Sequence, residues 1–546
     1  METARAAPRP WLLGPSTDLL LGCGLGYGLV VLALAASGAP MGSLDGWLPL
    51  VVLVTGIPHY GATLLRVYGT ESARRRYFLY AFPLGFLVWA AFAASFGVPR
   101  LGTALITLYL TWSPWHYTAQ NFGLVMMFLR RAGLSPTPAL RRLVQASFVL
   151  SFSLVFLNIH GSASAGGADP LQTSSAMYRF APLGIPARLA LCALAVVGVS
   201  YVSVTIIALR RLLSFAPPSR LAPALALVAS QAAWFVLPVL LGFARPNLYG
   251  SGGATALAFI WVAIAHSVQY LWISFHYARA SGNVARTAPS GLWYLGKTVL
   301  AGAVIWVVPA VVCAPGALGL LPFDAGLGLL VAAAVNLHHF ILDGAIWKLR
   351  DGTVGNVLVG QTSAAPSASP AAKGLGAWAA WAARAALVAA GLVSAGAWAA
   401  SAWEKEMGLD RAAANGDLAR VRVAAQRLAL LGRDSARIHV TIGRLLDARG
   451  EKAAAHEAYE AALALDPEDP AALDRIAESW LSRGEFQRAL DARYRATRNA
   501  PDRPAFRRRY EELLARLQAP PEMGDTEEIV VTGETSPASA PGEGTK

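Results

Sequence analysis

Long apolar stretches separated by short polar loops fill the first 400 residues of the chain. A helix that crosses a bilayer needs about 20 predominantly apolar residues. Eleven stretches of the sequence meet this length, at about 17–37, 46–68, 77–97, 101–128, 142–160, 186–209, 221–243, 254–277, 293–313, 323–347 and 375–402. The pattern therefore predicts an all-α fold built on a polytopic membrane bundle of about eleven spans.

The basic residues of the loops divide unequally between the two sides of this bundle. If the N-terminus lies in the cytoplasm, the inner loops carry nineteen Lys and Arg residues and the outer loops carry four. Cytoplasmic loops are enriched in basic residues. We therefore predict a multi-pass protein of the cell inner membrane with a cytoplasmic N-terminus. With eleven spans, the chain after about Trp403 lies in the periplasm.

The polar C-terminal part repeats with a period of 34 residues. Gly416, Gly450 and Gly484 are 34 residues apart, and so are Pro467 and Pro501. This part resembles the tetratricopeptide repeat (TPR) family, whose repeat has the same length. The clearest repeat has the signature residues Ile442, Gly443, Leu446, Ala455, Tyr459, Ala462 and Pro467.

The next repeat departs from the TPR pattern at two positions. It keeps Ile476, Trp480, Ala489, Ala496 and Pro501, but it has Ala477 for the first glycine and Arg493 where an aromatic residue is expected. The resemblance covers about 408–517 and implies stacked helix pairs. It also implies a protein or peptide partner for this part of the chain.

These patterns divide the chain into five parts. Ala, Ser and Pro dominate the segment before the last span, which indicates a flexible linker, and the tail has too few apolar residues to fold. We interpret the last span as a tether for the repeats. The predicted parts are a membrane bundle of ten spans (1–352), a cytoplasmic linker (353–372), the final span (373–403), TPR-like repeats (404–518) and a disordered tail (519–546).

Charge and cysteine content narrow the choice of partners. Only 14% of the residues are charged, and eight of the 33 acidic residues lie in the first 400 positions. The excess positive charge sits in membrane loops, which favours membrane lipids over nucleic acid as partners. All three cysteines fall in apolar spans, so no disulfide framework is predicted.

Six of the nine histidines lie inside long apolar stretches. Ionisable groups within a bilayer are costly and usually serve a function. His59, His116, His266 and His338 stand between seven and fourteen residues before the basic residue that ends their span on the inner side. At 1.5 Å per residue, this spacing places the four positions in one layer of the bundle. His276 lies near the inner interface.

Each of these histidines has a polar neighbour on the same helix face. The pairs, spaced by three or four residues, are His59 and Thr63, His116 and Gln120, His266 and Gln269, and His339 and Asp343. Imidazoles with one carboxylate suit iron, zinc, copper or manganese. We predict His59, His116, His266, His338 and His339 as ligands of a divalent transition metal. Asp343 is predicted as a ligand or acceptor, and Gln120 and Gln269 as residues that orient the imidazoles.

Other roles of these histidines are compatible with the same pattern. A single intramembrane histidine often bonds a neighbouring helix for purely structural reasons, and a row of His, Gln and Asp side chains also suits a path for protons or a solute. The alternatives to an enzyme are therefore a transporter and a membrane-anchored TPR scaffold or assembly factor without catalysis.

Two families of membrane non-haem iron enzymes provide a comparison for the bundle. The HxxxH and HxxHH boxes of the desaturase and hydroxylase group are absent. Gly56-Ile57-Pro58-His59 is similar to a Gly-x-Pro-His segment of the Brp/Blh-type carotene dioxygenases, and His338-His339 with Asp343 fits that family loosely. The resemblance implies an iron-dependent membrane oxygenase that acts on a lipid or isoprenoid, an apolar small molecule.

Overall fold

The computed structural model describes most of the chain and confirms that the fold is all-α. Apart from one isolated β-bridge between Gly161 and Ile185, the regular structure of the described residues is helical. These residues are 10–37, 51–161, 178, 180–244, 261–281, 289–315, 317–349, 352–359, 375–500 and 503–518. The predicted tail, 519–546, lies outside them.

The N-terminal part contains fourteen of the helices that we number along the chain. They are α1 (Leu25–Ser37), α2 (Ile57–Tyr68), α3 (Glu71–Arg76), α4 (Gly85–Ala94), α5 (Pro99–Arg131), α6 (Pro138–His160), α7 (Ala187–Phe215), α8 (Pro218–Phe235), α9 (Leu237–Ala244), α10 (Val262–Ala280), α11 (Pro289–Val312), α12 (Gly328–Ile346), α13 (Gly352–Val359) and α14 (Leu375–Trp403). A short helix, Pro15–Thr17, and a π-helical turn, Asp18–Gly22, precede α1.

Some of these helices are apolar enough to cross a membrane. Six described helices pass a test of length and composition, and a seventh span results if the bent pair Pro15–Gly22 and Leu25–Ala33 is counted as one. The six are Pro138–His160, Ala187–Phe215, Pro218–Leu240, Gly291–Val312, Gly328–Ile346 and Ala382–Ala414. Helices also lie over other predicted spans, among them α5 and α10, which carry the polar residues discussed below. The count of eleven spans remains a prediction.

Helix α12 lies at the centre of the bundle. Its side chains are buried along most of its length, including Asn336, His338, His339 and Asp343. It packs against α2, α4, α5 and α11. A helix that is apolar on all sides and buried on all sides must be surrounded by other helices. This position places its polar side chains in the middle of the bundle.

The predicted linker, 353–372, begins inside the folded bundle. Helix α13 covers its first residues, and Val354 and Leu358 are buried against the bundle. Arg131 at the end of α5 donates a hydrogen bond of 2.7 Å to the carbonyl of Leu358. The apolar pattern of Val354 and Leu358 explains this packing, because two apolar residues four apart share one helix face. Residues 360–372 lie outside the described part.

The C-terminal part consists of helical hairpins. A π-helical stretch, Glu404–Asp410, leads into seven short helices: α15 (Arg411–Ala414), α16 (Leu418–Leu430), α17 (Ala436–Ala448), α18 (Lys452–Leu465), α19 (Pro470–Ser482), α20 (Phe486–Asn499) and α21 (Pro504–Gln518). Helix α17 packs on α18, and α19 packs on α20.

Glycine makes these hairpins possible at two kinds of position. Gly416, Gly450 and Gly484 stand at the tight turns with φ of +71°, +78° and +78°, a conformation that favours glycine. Gly443 lies where two helices touch, because a Cβ atom there would be 2.4 Å from the Tyr459 ring. The 34-residue period therefore reflects one hairpin per repeat.

The hairpins contact the bundle at one end. The guanidinium of Arg433 lies 3.7 Å from the centre of the Phe323 ring, within the range of a cation–π interaction. The last predicted span, α14, packs against α11, and the rings of Trp306 and Trp398 are 6.4 Å apart. Helix α14 thus has neighbours in the bundle and is more than a free tether.

Candidate metal centre

Four helices each bring one histidine to the centre of the bundle. His59 lies on α2, His116 on α5, His266 on α10 and His339 on α12. His59, His266 and His339 are no more than 2% exposed, and the His116 side chain is 10% exposed. The structure therefore brings these four predicted histidines together in the buried interior.

The four imidazole rings form a compact group. The ring centres of His59 and His339 are 4.2 Å apart, and that of His59 is 5.0 Å from that of His266. His116 completes the group, with its ring 5.0 Å from His266 and 5.5 Å from His339. These pairs meet edge to face, so the imidazoles do not stack on one another.

The Asp343 carboxylate lies one helical turn beyond His339, at the edge of this group. Its Oδ2 atom is 3.5 Å from Nε2 of His339 and 3.6 Å from Nε2 of His116. These contacts are too long for hydrogen bonds. They fit a carboxylate and two imidazoles that turn their lone pairs toward one point between them.

The imidazole nitrogens fit a metal ion better than they fit packing. Among the described residues, five buried nitrogens of this group have no hydrogen-bond partner: Nε2 of His59, Nε2 of His116, both ring nitrogens of His266 and Nε2 of His339. An unsatisfied polar atom inside a protein costs about 1–3 kcal/mol. A shared cation would satisfy several of these nitrogens together.

Two sets of ligand atoms have the spread that a metal site needs. In one set, His59, His266 and His339 each offer a ring nitrogen. In the other set, His116 and His339 each offer a ring nitrogen and Asp343 offers a carboxylate oxygen. Within each set the ligand atoms lie within 4.8 Å of one another. An ion about 2.0–2.1 Å from each imidazole nitrogen holds its ligands at a similar spread.

The two sets describe one centre, because they share His339. Its Nδ1 atom lies 3.0 Å from the Thr63 hydroxyl, which leaves only Nε2 for a metal. One imidazole nitrogen binds one ion. The geometry therefore fits one ion, held by three ligands of either set, with His339 as a ligand in both cases.

Aromatic side chains surround the group. The Phe340 ring stacks on His116 with 4.4 Å between ring centres, and Tyr117 lies at the same distance from His266. On the other side Tyr60 lies 4.8 Å from His59 and stacks on Trp306. The surroundings of the ligands are therefore largely apolar.

His338 is not part of the group. Its Nε2 atom lies 3.3 Å from the Tyr68 hydroxyl, and its ring faces Gly85 of α4. Consecutive residues on a helix point about 100° apart. Here His338 points toward α4, whereas His339 points toward the other three imidazoles. The geometry gives no support to His338 as a ligand.

Gln120 and Gln269 contact each other and not the imidazoles. Gln120 donates to Gln269 at 3.1 Å, and Gln269 donates to the Gly22 carbonyl and to Asn121. Asn121 donates in turn to Gln231, which reaches Thr118 and Ser151. In a bilayer an amide must find partners inside the protein. These glutamines find them in one another, so the expectation that they orient the histidines is not supported.

The two remaining histidines of the bundle have other surroundings. His160 accepts a hydrogen bond from the Leu183 backbone N–H at 3.1 Å and lies 3.0 Å from the Thr111 hydroxyl. It fastens the end of α6 to the neighbouring loop. His276 belongs to neither set of ligand atoms.

Two polar residues of the site escaped the sequence analysis. Tyr270 donates a hydrogen bond of 2.7 Å to Oδ1 of Asp343, and the Ser267 hydroxyl lies 3.4 Å from Nδ1 of His59. Tyr270 stands four residues after His266, the spacing that places two residues on one helix face. That spacing was a usable signal, but tyrosine is common enough in membrane helices to hide it.

Comparison with known proteins does not identify the chain. No protein-family model matches it, and searches of curated proteins and of solved structures found no significant match.

Proposed function

We propose that the bundle is a metal-dependent membrane enzyme, most simply a non-haem iron oxygenase that acts on a lipid or isoprenoid. The observation that carries the proposal is the convergence of His59, His116, His266 and His339 with Asp343, where several nitrogens lack partners. Structural polar contacts between helices would instead satisfy each nitrogen separately.

The donor set indicates the class of metal. Four imidazoles and one carboxylate suit iron, zinc, copper and manganese, and they disfavour calcium and magnesium, which prefer oxygen ligands. Iron with an open coordination position, when bound, supplies oxygen chemistry. The similarity of Gly56-Ile57-Pro58-His59 to a carotene dioxygenase segment favours iron among these metals.

The surrounding side chains would bind and orient an apolar substrate. Phe340, Tyr117 and Trp306 offer flat apolar surfaces within one helix diameter of the ligands. A substrate drawn from the membrane needs no aqueous route to this depth. These residues would exclude water, which would otherwise compete for the open position.

We further propose that the C-terminal hairpins form a TPR domain that binds a protein or peptide. The support is the 34-residue spacing of Gly416, Gly450 and Gly484, which coincides with the turns of the helical hairpins. With eleven spans this domain is periplasmic. A periplasm-specific reporter fused after Lys546 should be active, and activity of a cytoplasm-specific reporter there would contradict the topology.

Metal analysis of the purified full-length protein tests the proposed function. The protein should hold a transition metal, and His339→Ala should remove it. His338→Ala is the matched control, because the neighbouring imidazole lies on Tyr68 and should leave the metal in place. Equal metal content in both variants, or no metal in the parent protein, would contradict the proposal and favour a transporter or a membrane-anchored scaffold.

A further inference from the structure

Two buried hydroxyls link one proposed ligand to another. Thr63 lies one turn after His59 on α2, and Tyr270 lies one turn after His266 on α10. Both side chains are at most 1% exposed, and their hydroxyl oxygens are 2.5 Å apart. Thr63 also lies 3.0 Å from Nδ1 of His339, while Tyr270 lies 2.7 Å from Oδ1 of Asp343. The four side chains form a continuous hydrogen-bonded chain.

The number of hydroxyl hydrogens decides which group donates in each of these hydrogen bonds. The Tyr270 hydroxyl has one hydrogen and donates it to Asp343, and Trp347 donates to the Tyr270 oxygen at 3.2 Å. Thr63 must then give its own hydrogen to Tyr270, or to Asp343 at 3.3 Å. In both cases the Thr63 oxygen can only accept a hydrogen bond from His339. The hydrogen between Thr63 and His339 therefore belongs to Nδ1 of His339.

We propose that Thr63 and Tyr270 are positioning residues that hold His339 and Asp343 ready for the metal. Resting on the proposed function, this inference names residues that act through the ligands rather than as ligands. With its proton on Nδ1, His339 presents the lone pair of Nε2. With Oδ1 held by Tyr270, Asp343 turns Oδ2 toward the Nε2 atoms of His116 and His339.

This arrangement has a known physical effect. A partner on the far nitrogen of a ligating histidine fixes its tautomer and ring orientation, and loss of such a partner typically costs about 10–100-fold in metal affinity. Here the same hydrogen bonds also restrain the carboxylate. The same series of hydrogen bonds holds both His339 and Asp343. Loss of either hydroxyl should therefore free both side chains to rotate.

Titration of the metal-free full-length protein with Co²⁺, followed by visible absorption, tests the inference. Tyr270→Phe and Thr63→Val should each weaken Co²⁺ binding by about 10–100-fold. The double variant should be little weaker than either single one, because the chain is already broken. Thr63→Ser keeps the hydroxyl and should restore the affinity and the spectrum.

Tyr60→Phe is the matched control. Its ring also lies beside His59, but its hydroxyl donates to Asn336 at 3.0 Å and stands outside the chain. It should bind Co²⁺ like the parent protein. The inference fails if Tyr270→Phe binds as tightly as Tyr60→Phe, or if Thr63→Val and Tyr270→Phe weaken binding additively. A parent protein that binds no Co²⁺ would overturn the proposed function as well.

Discussion

Gly61 and Gly302 are the points at which helices α2 and α11 touch backbone to backbone. A Cβ atom on Gly61 would lie 1.8 Å from the Thr298 carbonyl oxygen, and one on Gly302 would lie 1.8 Å from that of Ile57. Small residues let membrane helices approach this closely. The contact fixes the height and rotation of α2, which carries His59 and Thr63 to the metal centre.

Gly302→Ala should push α2 away from α11. No side-chain rotation relieves a Cβ atom that meets a backbone oxygen, so the helices must separate, at a cost of about 1–3 kcal/mol or more. We expect a lower melting temperature in detergent and a reduced metal content, because His59 moves with α2. Gly296→Ala on the same helix is the control, since a Cβ there meets no atom within 4 Å. Two variants of equal stability would contradict this prediction.

A second prediction concerns the number of ions. Both sets of ligand atoms include His339, and the Thr63 hydroxyl occupies its Nδ1 atom. Only Nε2 is then left to bind a metal, so saturation with Fe²⁺ or Co²⁺ should end at one ion per chain. His116→Ala should lower the affinity while His160→Ala, at the far end of α6, should not. Metal analysis after dialysis measures the ratio. A ratio of two would mean that His339 is not the shared ligand.

A third prediction tests whether the hydrogen-bonded amides of Gln120, Gln269, Asn121 and Gln231 stabilise the fold without affecting the metal centre. Gln269→Leu leaves the Gly22 carbonyl and the Asn121 oxygen without their donor. Hydrogen bonds between membrane helices are worth about 0.6–2 kcal/mol each. The variant should therefore melt earlier than the parent protein yet bind Co²⁺ with the same affinity and spectrum. A changed spectrum at unchanged stability would return Gln269 to the role of orienting an imidazole.

The contrast between His338 and Gln269 shows what the sequence reveals about this site. Polarity within apolar stretches and a common position along the spans were enough to predict that His59, His116 and His266 lie close together, because ionisable groups within a bilayer are costly and usually serve a function. Rotation about each helix axis depends on packing with neighbours. For that reason the sequence could not decide which member of the pair His338-His339 faces inward, or where the amides of Gln120 and Gln269 find partners.

The sequence likewise predicted the helices of the fold but not all of their contacts. Apolar length and the 34-residue period predicted helices throughout, including the turns at Gly450 and Gly484. The crossing at Gly61 and Gly302 was not predictable, because the chain has 51 glycines and spacing alone does not mark the two that touch. Likewise the Ala- and Ser-rich segment suggested a linker from residue 353, whereas Val354 and Leu358 are buried on the bundle.

A fourth prediction concerns pH and the hairpins. Burial raises the pKa of Asp466, between α18 and α19, to about 6 from an ordinary value near 3.8. The folded state then binds a proton more tightly than the unfolded state does. The contribution of Asp466 to the free energy of unfolding therefore falls as pH rises from about 4 to 6. Asp466→Asn should remove that part of the pH dependence. Hydrogen exchange of 452–482 in the full-length protein, corrected for intrinsic rates, measures it, and an unchanged pH profile would contradict the assignment.

The last prediction concerns the hairpin turn at Gly450. Its φ of +78° lies far from the value near −65° that proline requires, and its N–H donates to the Asp447 carbonyl at 3.0 Å. Gly450→Pro therefore loses a hydrogen bond and the turn geometry, at a cost of about 3 kcal/mol. Helices α17 and α18 should separate where Gly443 meets Tyr459. Faster hydrogen exchange over 436–465 would report this change.

Gly450→Asn is the control for this turn, because asparagine tolerates the left-handed conformation better than other residues with side chains. It should exchange nearly as slowly as the parent protein. Metal content should be equal in both variants, since the turn lies in the C-terminal hairpins and carries no ligand of the centre. If Gly450→Pro exchanged like Gly450→Asn, the hairpin would not depend on this turn, and the explanation of the 34-residue glycine period would fail.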